Sequence, residues 1–248
     1  MKKILLIGGN GVLGSTYVEN FINNTNYKIV VLDLDNKNIK HLKGFTFIKT
    51  DISKFVSFEK NIKLAIKKLG GIDVLINNAA FTSELAKKNN IKFEDFDMKT
   101  WEHSIKINLT SVFFSCKIVI PHMIKNKYGK IINISSLYGH LSPSHYIYDN
   151  ENFNCMPSYS ASKSGVIGLT RWLATKYASN GLMINCISPG GVFNNQSKTF
   201  VKKYSKINPS KKMANRKDLL GLINFLISDE SNYIIGQNVK IDGGHSVW

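Results

Sequence analysis

Short apolar runs alternate with helical patterns along almost the whole 248-residue chain. Most runs are nearly continuous in Ile, Val and Leu, which is typical of parallel strands buried on both faces. The alternation predicts βαβ units and one doubly wound α/β domain over residues 1–248, with a parallel sheet of about seven strands and helices on both faces. The predicted strands are 3–7, 28–32, 46–48, 74–76, 130–134, 183–187 and 238–241, and the predicted helices are 13–23, 55–69, 100–125, 158–179 and 216–227.

The chain is strongly basic, with 33 Lys and Arg residues against 17 Asp and Glu residues and a formal charge of +16. This charge makes nucleic acid binding a hypothesis to weigh. However, no nucleic-acid-binding motif is present, and the basic residues are almost all lysines, which are spread through segments such as 37–43, 60–68, 125–130 and 198–212. We therefore predict solvated helix faces and no nucleic acid partner. A positive field would also attract a phosphorylated or nucleotide-linked substrate.

The sequence contains no feature that predicts export or a membrane span. The apolar run 4–7 meets Gly8 and Gly9 too soon for a signal peptide, and the apolar stretch 105–120 is short and carries lysines. Three widely separated cysteines argue against a disulfide framework and for a reducing compartment. His140 and His145 lack the spacing and partners of metal ligands. These observations predict a cytoplasmic protein without a membrane partner and without a metal.

A glycine-rich loop, Gly8-Gly9-Asn10-Gly11-Val12-Leu13-Gly14, joins the first predicted strand to the first helix. Glycines allow a sharp turn and close approach to a ligand, and the helix N-terminus offers unpaired N–H groups to a pyrophosphate. Asp33 ends the second strand, 19 residues after Gly14, where a carboxylate would bind an adenosine ribose and repel a 2′-phosphate. The loop lacks a Lys or Arg and the Gly-Lys-Ser/Thr of a P-loop. This pattern predicts a dinucleotide site that favours NAD over NADP.

Tyr159 and Lys163 are four residues apart in a predicted helix, so they share one helix face. A phenol with a pKa of about 10 is a poor base at neutral pH. An ammonium about 4 Å away, at an effective dielectric of about 20, would stabilise the phenolate by roughly 4 kcal/mol, or about three pKa units. Such a pair could exchange protons with a substrate. The spacing is common, and an exposed pair on a helix surface is the simpler interpretation of these two residues alone.

Further motifs follow the predicted strands in order: Asp51 after the third, Asn77-Asn78-Ala79-Ala80 after the fourth, Ser136 after the fifth, Pro189-Gly190 after the sixth and Asp242-Gly243-Gly244 after the seventh. Together with the glycine loop and the Tyr159–Lys163 pair, they resemble the short-chain dehydrogenase/reductase family over nearly the whole chain. The resemblance implies a Rossmann fold and a catalytic tetrad of Asn108, Ser136, Tyr159 and Lys163. It implies cofactor contacts from Gly8, Asn10, Gly11, Val12, Leu13, Gly14, Asp33, Asp51, Ile52, Asn78, Ala79, Ala80, Tyr159, Lys163, Pro189, Gly190 and Val192.

The resemblance also implies a mechanism, in which a secondary alcohol and a ketone are interconverted with NAD(P). Tyr159 would be the general base in oxidation and the acid in reduction, and Lys163 would lower its pKa and bind the nicotinamide ribose. Ser136 would hold the substrate oxygen, and Asn108 would anchor a water that relays protons. From the residues alone, Ser136 could instead cap a turn and Asn108 could be a satisfied buried amide. The family also implies a homo-oligomer, a tetramer or a dimer.

Three positions depart from the family pattern. The glycine spacing Gly8-x-x-Gly11-x-x-Gly14 is similar to that of the family's longer, sugar-nucleotide-modifying branch. Ala80 replaces the usual glycine. A threonine that touches the nicotinamide amide is often found soon after Pro-Gly, but residues 193–195 are Phe-Asn-Asn. The sequence therefore does not predict which residue binds the carboxamide.

The distance from Ser136 to Tyr159 is the feature that bears most on the substrate. It is 23 residues, about ten more than is usual in the family, and loops on a fixed scaffold set specificity. The aromatic and polar composition of the insertion, near residues 139–158, suits a sugar; a solvent loop or an oligomer contact is the alternative.

Residues 187–193 and 242–248 resemble a bacterial subgroup linked to flagellin modification and surface-sugar biosynthesis. The alternative function is a dinucleotide-sensing regulator without turnover, against which the intact tetrad argues.

Overall fold

Seven strands form one sheet in the computed structural model, which describes residues 1–82, 92–149, 151 and 153–248. All neighbouring strands are parallel, in the order β3-β2-β1-β4-β5-β6-β7. The prediction of a doubly wound α/β fold is confirmed. The strands are β1 (Lys2–Ile7), β2 (Tyr27–Asp33), β3 (Thr46–Lys49), β4 (Val74–Asn77), β5 (Gly129–Ile134), β6 (Leu182–Pro189) and β7 (Asn238–Ile241).

The helices in the described residues differ from the predicted ones in three places, one of which is the start of the predicted helix 216–227, where Arg216–Leu219 form a 3₁₀ turn. The predicted helix 100–125 is divided by a π-helical turn, Lys106–Thr110. A helix that the sequence analysis missed, Lys198–Lys206, follows β6. The α-helices are α1 (Val12–Ile22), α2 (Phe55–Leu69), α3 (Met98–Ile105), α4 (Ser111–Lys125), α5 (Pro157–Tyr177), α6 (Lys198–Lys206) and α7 (Leu220–Ile227).

Both faces of the sheet are covered, which explains why the central residues of the strands are largely apolar. Successive side chains of a strand point to opposite faces. In β1, Leu5 and Ile7 pack with residues of α2, α4 and α5, whereas Ile4 and Leu6 pack with residues of α1 and α7. All four side chains are almost fully buried. The apolar face of each helix is therefore matched to one of the two faces of the sheet.

The segment Met98–Lys125, which spans α3, the π-helical turn and α4, is 28 residues long and apolar enough by length and composition to cross a membrane. It is longer than the stretch 105–120 that the sequence analysis considered. The buried core helix of a soluble protein passes the same test. Here α4 packs on β4 and β5, and the buried side chains of the segment include polar ones, among them Ser104, Asn108 and Ser115. Of the most apolar 18-residue window of the segment, 44% is buried inside the protein.

Candidate active site

A cleft of about 770 Å³ lies where the strand order reverses between β1 and β4, at the carboxyl ends of the strands. Open parallel sheets bind their ligands at such a position. The cleft brings the glycine loop together with Asp33, Ser136 and Lys163, which are far apart in the sequence. Of the residues predicted for the site, only Gly14 and Asn108 do not line this cleft.

The glycine loop has room for a ligand beside Gly11. Gly8 has a φ of +88°, and a Cβ there would collide with the backbone of Ala79. A Cβ at Gly14 would collide with the backbone of Gly8 and Gly9, so Gly14 serves the packing of α1 on the sheet. At Gly11 a Cβ would meet nothing within 4 Å. Gly11 is also the N-cap of α1 and supplies no side-chain cap, which leaves the first N–H groups of the helix available to an anion.

Alanine substitutions at Gly11 and Gly14 are expected to have different effects. Gly11→Ala should leave the free energy of unfolding within about 0.5 kcal/mol of wild type, because its methyl group meets no protein atom. The methyl group would occupy cofactor space, so the Kd for NAD should rise at least about tenfold. Gly14→Ala should instead lower stability by about 1–3 kcal/mol through overpacking. Urea denaturation and NAD titration measure both effects, and an unchanged Kd in Gly11→Ala would contradict the placement of the pyrophosphate.

Asp33 is held in place by the glycine loop. Its Oδ2 accepts a hydrogen bond from the backbone N–H of Asn10 at 2.7 Å, and its Oδ1 accepts one from that of Leu34, also at 2.7 Å. The side chain of Asn10 donates to Asp35 and accepts from the backbone N–H of Asn38. Burial raises the pKa of the Asp33 carboxyl, as does Asp35, and the two backbone donors oppose this. The remaining acceptor capacity of the carboxylate is available to the cleft.

Asp51 lies on the same side of the cleft, at the end of β3. Its Oδ1 accepts hydrogen bonds from the backbone N–H and the hydroxyl of Ser53, at 3.0 and 2.6 Å. Although burial alone would raise the pKa of the Asp51 carboxyl, the bonds from Ser53 and the charge of Lys54 bring it below its usual range. Asp51 is therefore an anionic side chain on the same side of the cleft as Asp33, where the family resemblance implies a position beside the adenine.

Lys163 is buried, with 2% of its surface exposed, and Tyr159 is half-buried. The interpretation of these two residues as an exposed pair is therefore wrong. The Nζ of Lys163 donates to the carbonyl oxygen of Ile134 at 2.8 Å and lies 5.7 Å from the centroid of the Tyr159 ring. Burial lowers the pKa of the Lys163 ammonium to about 8. An ammonium in such surroundings is weakly screened, so it acts strongly on charge that develops nearby.

Ser136 both caps a turn and lines the cleft. Its Oγ accepts a hydrogen bond from the backbone N–H of Tyr138 at 3.2 Å, at the start of the 3₁₀ turn Leu137–Gly139. This matches the simpler of the two sequence interpretations. A hydroxyl has one donor and two acceptor positions, so the cap leaves its proton for a ligand. The neighbouring Ser135 donates from its Oγ to the carbonyl oxygen of Lys163 at 2.8 Å and so ties α5 to the end of β5.

Asn108 lies in the π-helical turn, away from the cleft surface, and 1% of it is exposed. Its Oδ1 accepts from the backbone N–H of Phe81 at 2.7 Å, and its Nδ2 donates to the carbonyl oxygen of Phe81 at 3.0 Å. The Nδ2 also lies within hydrogen-bond distance of the hydroxyls of Ser104 and Ser162. The side chain is thus a satisfied buried amide that connects the segment after β4 to α5. π-Helical turns of this kind are frequent at functional sites.

The insertion borders the cleft and packs on α6. Tyr148 and Phe153 line the cleft, and their ring centroids lie 5.5 and 5.3 Å from that of Phe200 in α6. Ile147 is fully buried below them, whereas Tyr146 is 50% exposed. Residues 150 and 152 of the insertion lie outside the described residues. Most of the described insertion is therefore a packed wall, with one face toward solvent.

Comparison with known proteins identifies the family. The sequence model of the short chain dehydrogenase family matches residues 2–205. The chain belongs to this family. It is 34% identical to the 3-oxoacyl-[acyl-carrier-protein] reductase of Buchnera aphidicola subsp. Baizongia pistaciae, over 98% of this chain and 97% of that protein. It is also 29% identical to post-translational flagellin modification protein A of Campylobacter coli, over 98% of this chain and 91% of that protein.

A solved structure of the same family superposes closely on this chain. The short chain dehydrogenase of Leptospira borgpetersenii serovar Hardjo-bovis, solved with bound NAD⁺, has a TM-score of 0.89 and 30% sequence identity. The match covers 99% of this chain and 93% of that one. This short-chain dehydrogenase is accordingly an oxidoreductase with a Rossmann fold.

The sequence analysis of this dehydrogenase missed the residues that α6 brings to the cleft. Phe200 and Tyr204 are buried and line it, and the hydroxyl of Tyr204 accepts a hydrogen bond from the backbone N–H of Gly191 at 2.7 Å. A signal was present, because Ser197 precedes the helix as its N-cap and the two aromatic residues have i, i+4 spacing. The lysines around them were interpreted as part of a solvated surface.

The part of the chain that the structure describes holds no group of three or more His, Cys, Asp and Glu side chains that could bind a metal ion. Its cysteines, Cys116, Cys155 and Cys186, are free thiols. Burial raises the pKa of Cys155, which lines the cleft, to about 11, so this thiol is protonated at neutral pH.

Proposed function

We propose that the protein is an NAD-dependent oxidoreductase that interconverts a secondary alcohol and a ketone, with a sugar or sugar derivative as substrate. One observation carries the proposal: Ser136, Tyr159 and the buried Lys163 line the same cleft as the glycine loop and Asp33. Burial of an ammonium is unfavourable for folding. A regulator that only sensed a dinucleotide would have little use for this ammonium beside a tyrosine, so the arrangement favours catalysis.

The residues of the first half of the cleft fit NAD. The open side of Gly11 and the uncapped N–H groups of α1 suit a pyrophosphate. The Asp33 carboxylate suits the two ribose hydroxyls of NAD and would repel the 2′-phosphate of NADP. Further cofactor contacts would come from Asp51, Ile52, Asn78, Ala79, Ala80, Pro189, Gly190 and Val192, which line the cleft. When bound, the nicotinamide supplies the hydride acceptor or donor.

The residues of the second half of the cleft transfer a proton to and from the substrate oxygen. Tyr159 takes the proton of the alcohol in oxidation and returns one to the ketone oxygen in reduction. The Lys163 ammonium, held by the Ile134 carbonyl, stabilises the phenolate that accepts the proton in oxidation and that forms again when Tyr159 donates its proton in reduction. Ser136 donates a hydrogen bond to the substrate oxygen and keeps it close to Tyr159.

We assign Asn108 a positioning role in this mechanism. Its amide holds the backbone of Phe81 and contacts Ser162, the residue before Lys163. The family resemblance predicted that Asn108 anchors a water molecule that relays protons. Because both ends of the side-chain amide are bonded to protein, such a water would bind the backbone of the π-helical turn rather than the amide.

The choice of a sugar rests on the insertion and on one relative. Aromatic rings and hydroxyls match the apolar faces and polar edges of a sugar, and the chain resembles flagellin modification protein A along 98% of its length. A second candidate is a 3-oxoacyl group on a carrier protein. The similarity to 3-oxoacyl-[acyl-carrier-protein] reductase and the +16 charge, which would attract an acidic partner, favour it.

An activity assay separates the two candidates. The absorbance of reduced nicotinamide is followed with free, phosphorylated and nucleotide-linked sugars and with a 3-oxoacyl thioester. Turnover of a sugar, at a kcat/KM at least about tenfold above that of the thioester, supports the first candidate. The reverse order of kcat/KM values would replace it by the second.

We also propose a cytoplasmic homo-oligomer, a tetramer or a dimer. Phe113 of α4 and Trp172 of α5 are 49% and 61% exposed, and exposed large apolar side chains mark candidate contact surfaces. The two helices would pair with their counterparts in a second copy.

The charge of Asp33 is expected to set the cofactor preference. Asp33→Asn keeps an acceptor for a backbone N–H but removes the charge that repels a 2′-phosphate. The ratio of kcat/KM for NAD to that for NADP should fall at least about tenfold, or about 1.4 kcal/mol. Asp51→Asn is the control, because it lies at the adenine end and should affect both cofactors alike. An unchanged ratio in Asp33→Asn would show that another group discriminates.

A further inference from the structure

Five aromatic side chains form a continuous surface at the substrate end of the cleft. The ring centroids lie 5.6 Å apart for Tyr148 and Phe153, which pack edge to face, 5.3 Å apart for Phe153 and Phe200, which are tilted, and 6.5 Å apart for Phe200 and Tyr204, which are stacked. The surface is built from the 3₁₀ turn Leu137–Gly139, the insertion and α6, and the insertion and α6 share a small apolar core although they are remote in the sequence. We name it the aromatic wall, and it consists of Tyr138, Tyr148, Phe153, Phe200 and Tyr204.

Two hydroxyls of the aromatic wall are hydrogen-bonded to each other. The hydroxyl of Tyr148 donates to that of Tyr138 at 3.0 Å, so the Tyr138 oxygen accepts and its own proton can be donated to a ligand. The backbone N–H of Tyr138 is held by Ser136. Burial raises the pKa of both hydroxyls, and both side chains line the same cleft as the proposed acid/base Tyr159. Both hydroxyls are therefore protonated donors at neutral pH.

The charge of this part of the cleft restricts the ligand further. Among the described residues that line it from Ser136 to Met213, apart from Lys163, there is no Lys or Arg. A phosphate enclosed there would have no cationic partner to compensate its desolvation. The part of the substrate that touches the aromatic wall is therefore an uncharged group with hydrogen-bond acceptors.

Resting on the proposed function, we infer that Tyr138 donates a hydrogen bond to a second oxygen atom of the substrate, beside the oxygen that reacts, and that Tyr148 positions it. The preferred substrates then carry a hydroxyl next to the reacting carbonyl, as polyhydroxylated compounds do, and are uncharged where they touch the aromatic wall. When a substrate lacks that oxygen, the hydroxyl of Tyr138 stays buried among aromatic rings without an acceptor. The free-energy cost of this unpaired donor makes the enzyme discriminate against such a substrate.

Matched ketones test the inference. The reduction of acetoin by NADH is compared with that of butan-2-one, which lacks only the hydroxyl. Wild type should prefer acetoin by at least about tenfold in kcat/KM. Tyr138→Phe should bring the two ketones within about twofold by lowering kcat/KM for acetoin, and Tyr148→Phe should give a smaller loss of preference. Tyr146→Phe is the control in the same segment, because its ring is half-exposed below Lys203 and outside the cleft; it should keep the preference.

The Kd for NADH, measured for each variant, shows that the fold and the cofactor site are intact. Equal kcat/KM for the two ketones in wild type, or an unchanged preference in Tyr138→Phe, overturns the inference. If Tyr159→Phe abolishes turnover but wild type shows no preference for acetoin over butan-2-one, the proposed function stands and the Tyr138 contact is rejected. Turnover that persists in Tyr159→Phe would overturn the proposed mechanism itself.

Discussion

Replacement of Tyr159 by phenylalanine is expected to lower kcat by about 10²–10⁴-fold while the Kd for NAD stays within about twofold of wild type. The change removes only the hydroxyl that exchanges the proton. The ring stays, and with it the contact to the buried ammonium of Lys163, 5.7 Å from the ring centroid. Steady-state reduction of a ketone and titration with NAD measure the two quantities on the same preparation.

Tyr233→Phe is the matched control for this substitution. Tyr233 is 99% exposed and does not line the cleft, so the variant should match wild type in kcat and in NAD affinity. A parallel loss of NAD affinity in Tyr159→Phe would mean that the hydroxyl serves binding. Retained turnover would mean that another group transfers the proton, and the assignment of Tyr159 would be abandoned.

The fold was predictable because its elements carry local signals. Strands buried on both faces must be largely apolar, and residues 4–7 of β1 and 74–76 of β4 are continuous apolar runs. The π-helical turn in Lys106–Thr110 was not predictable from periodicity, because one extra residue per turn leaves a helical pattern on either side. α6 was missed for a different reason, since only two of its nine side chains are buried.

The candidate site likewise contains some residues that could be predicted from the sequence and some contacts that could not. The glycine loop and Asp33 follow from the requirements of one turn and one strand end, so spacing in the sequence identified them. The bonding of Asn108 depends on Phe81 and Ser162, which lie 27 and 54 residues away. The contact of Phe153 with Phe200 likewise joins two segments with no common pattern. Such contacts are fixed by tertiary packing, and no local signal in the sequence records them.

Replacement of Lys163 by methionine is expected to lower activity and raise stability at the same time. Burial lowers the pKa of this ammonium from 10.5 to about 8. This shift means that the charge on Lys163 destabilises the folded protein by about 3 kcal/mol. Methionine fills similar space without a charge and so removes this destabilisation. Loss of the hydrogen bond to the Ile134 carbonyl oxygen offsets about 1 kcal/mol of the gain in stability. At pH 7 the free energy of unfolding should rise by about 1–2 kcal/mol, whereas kcat should fall at least about 100-fold.

The pH dependence gives this prediction a second signature. Because the folded pKa of Lys163 lies below the unfolded value, the unfolded chain binds more protons between pH 8 and 10.5. Wild type should therefore gain stability from this group as the pH rises through that window. Lys163→Met lacks the gain, so the difference in unfolding free energy between the two proteins should shrink from pH 7 to pH 10. Urea denaturation without cofactor at both pH values measures it.

Lys130→Met separates the physical effect of burial from the chemistry. Lys130 is also fully buried, its Nζ donates to the Ser231 hydroxyl at 2.9 Å, and burial lowers its pKa to about 8. It lies near the amino end of β5, outside the cleft. Lys130→Met should therefore raise stability and keep kcat within about twofold. If Lys163→Met also kept its kcat, the buried ammonium beside Tyr159 would be structural. If only Lys163→Met lost activity, this chain would be retaining a destabilising charge because the reaction requires it.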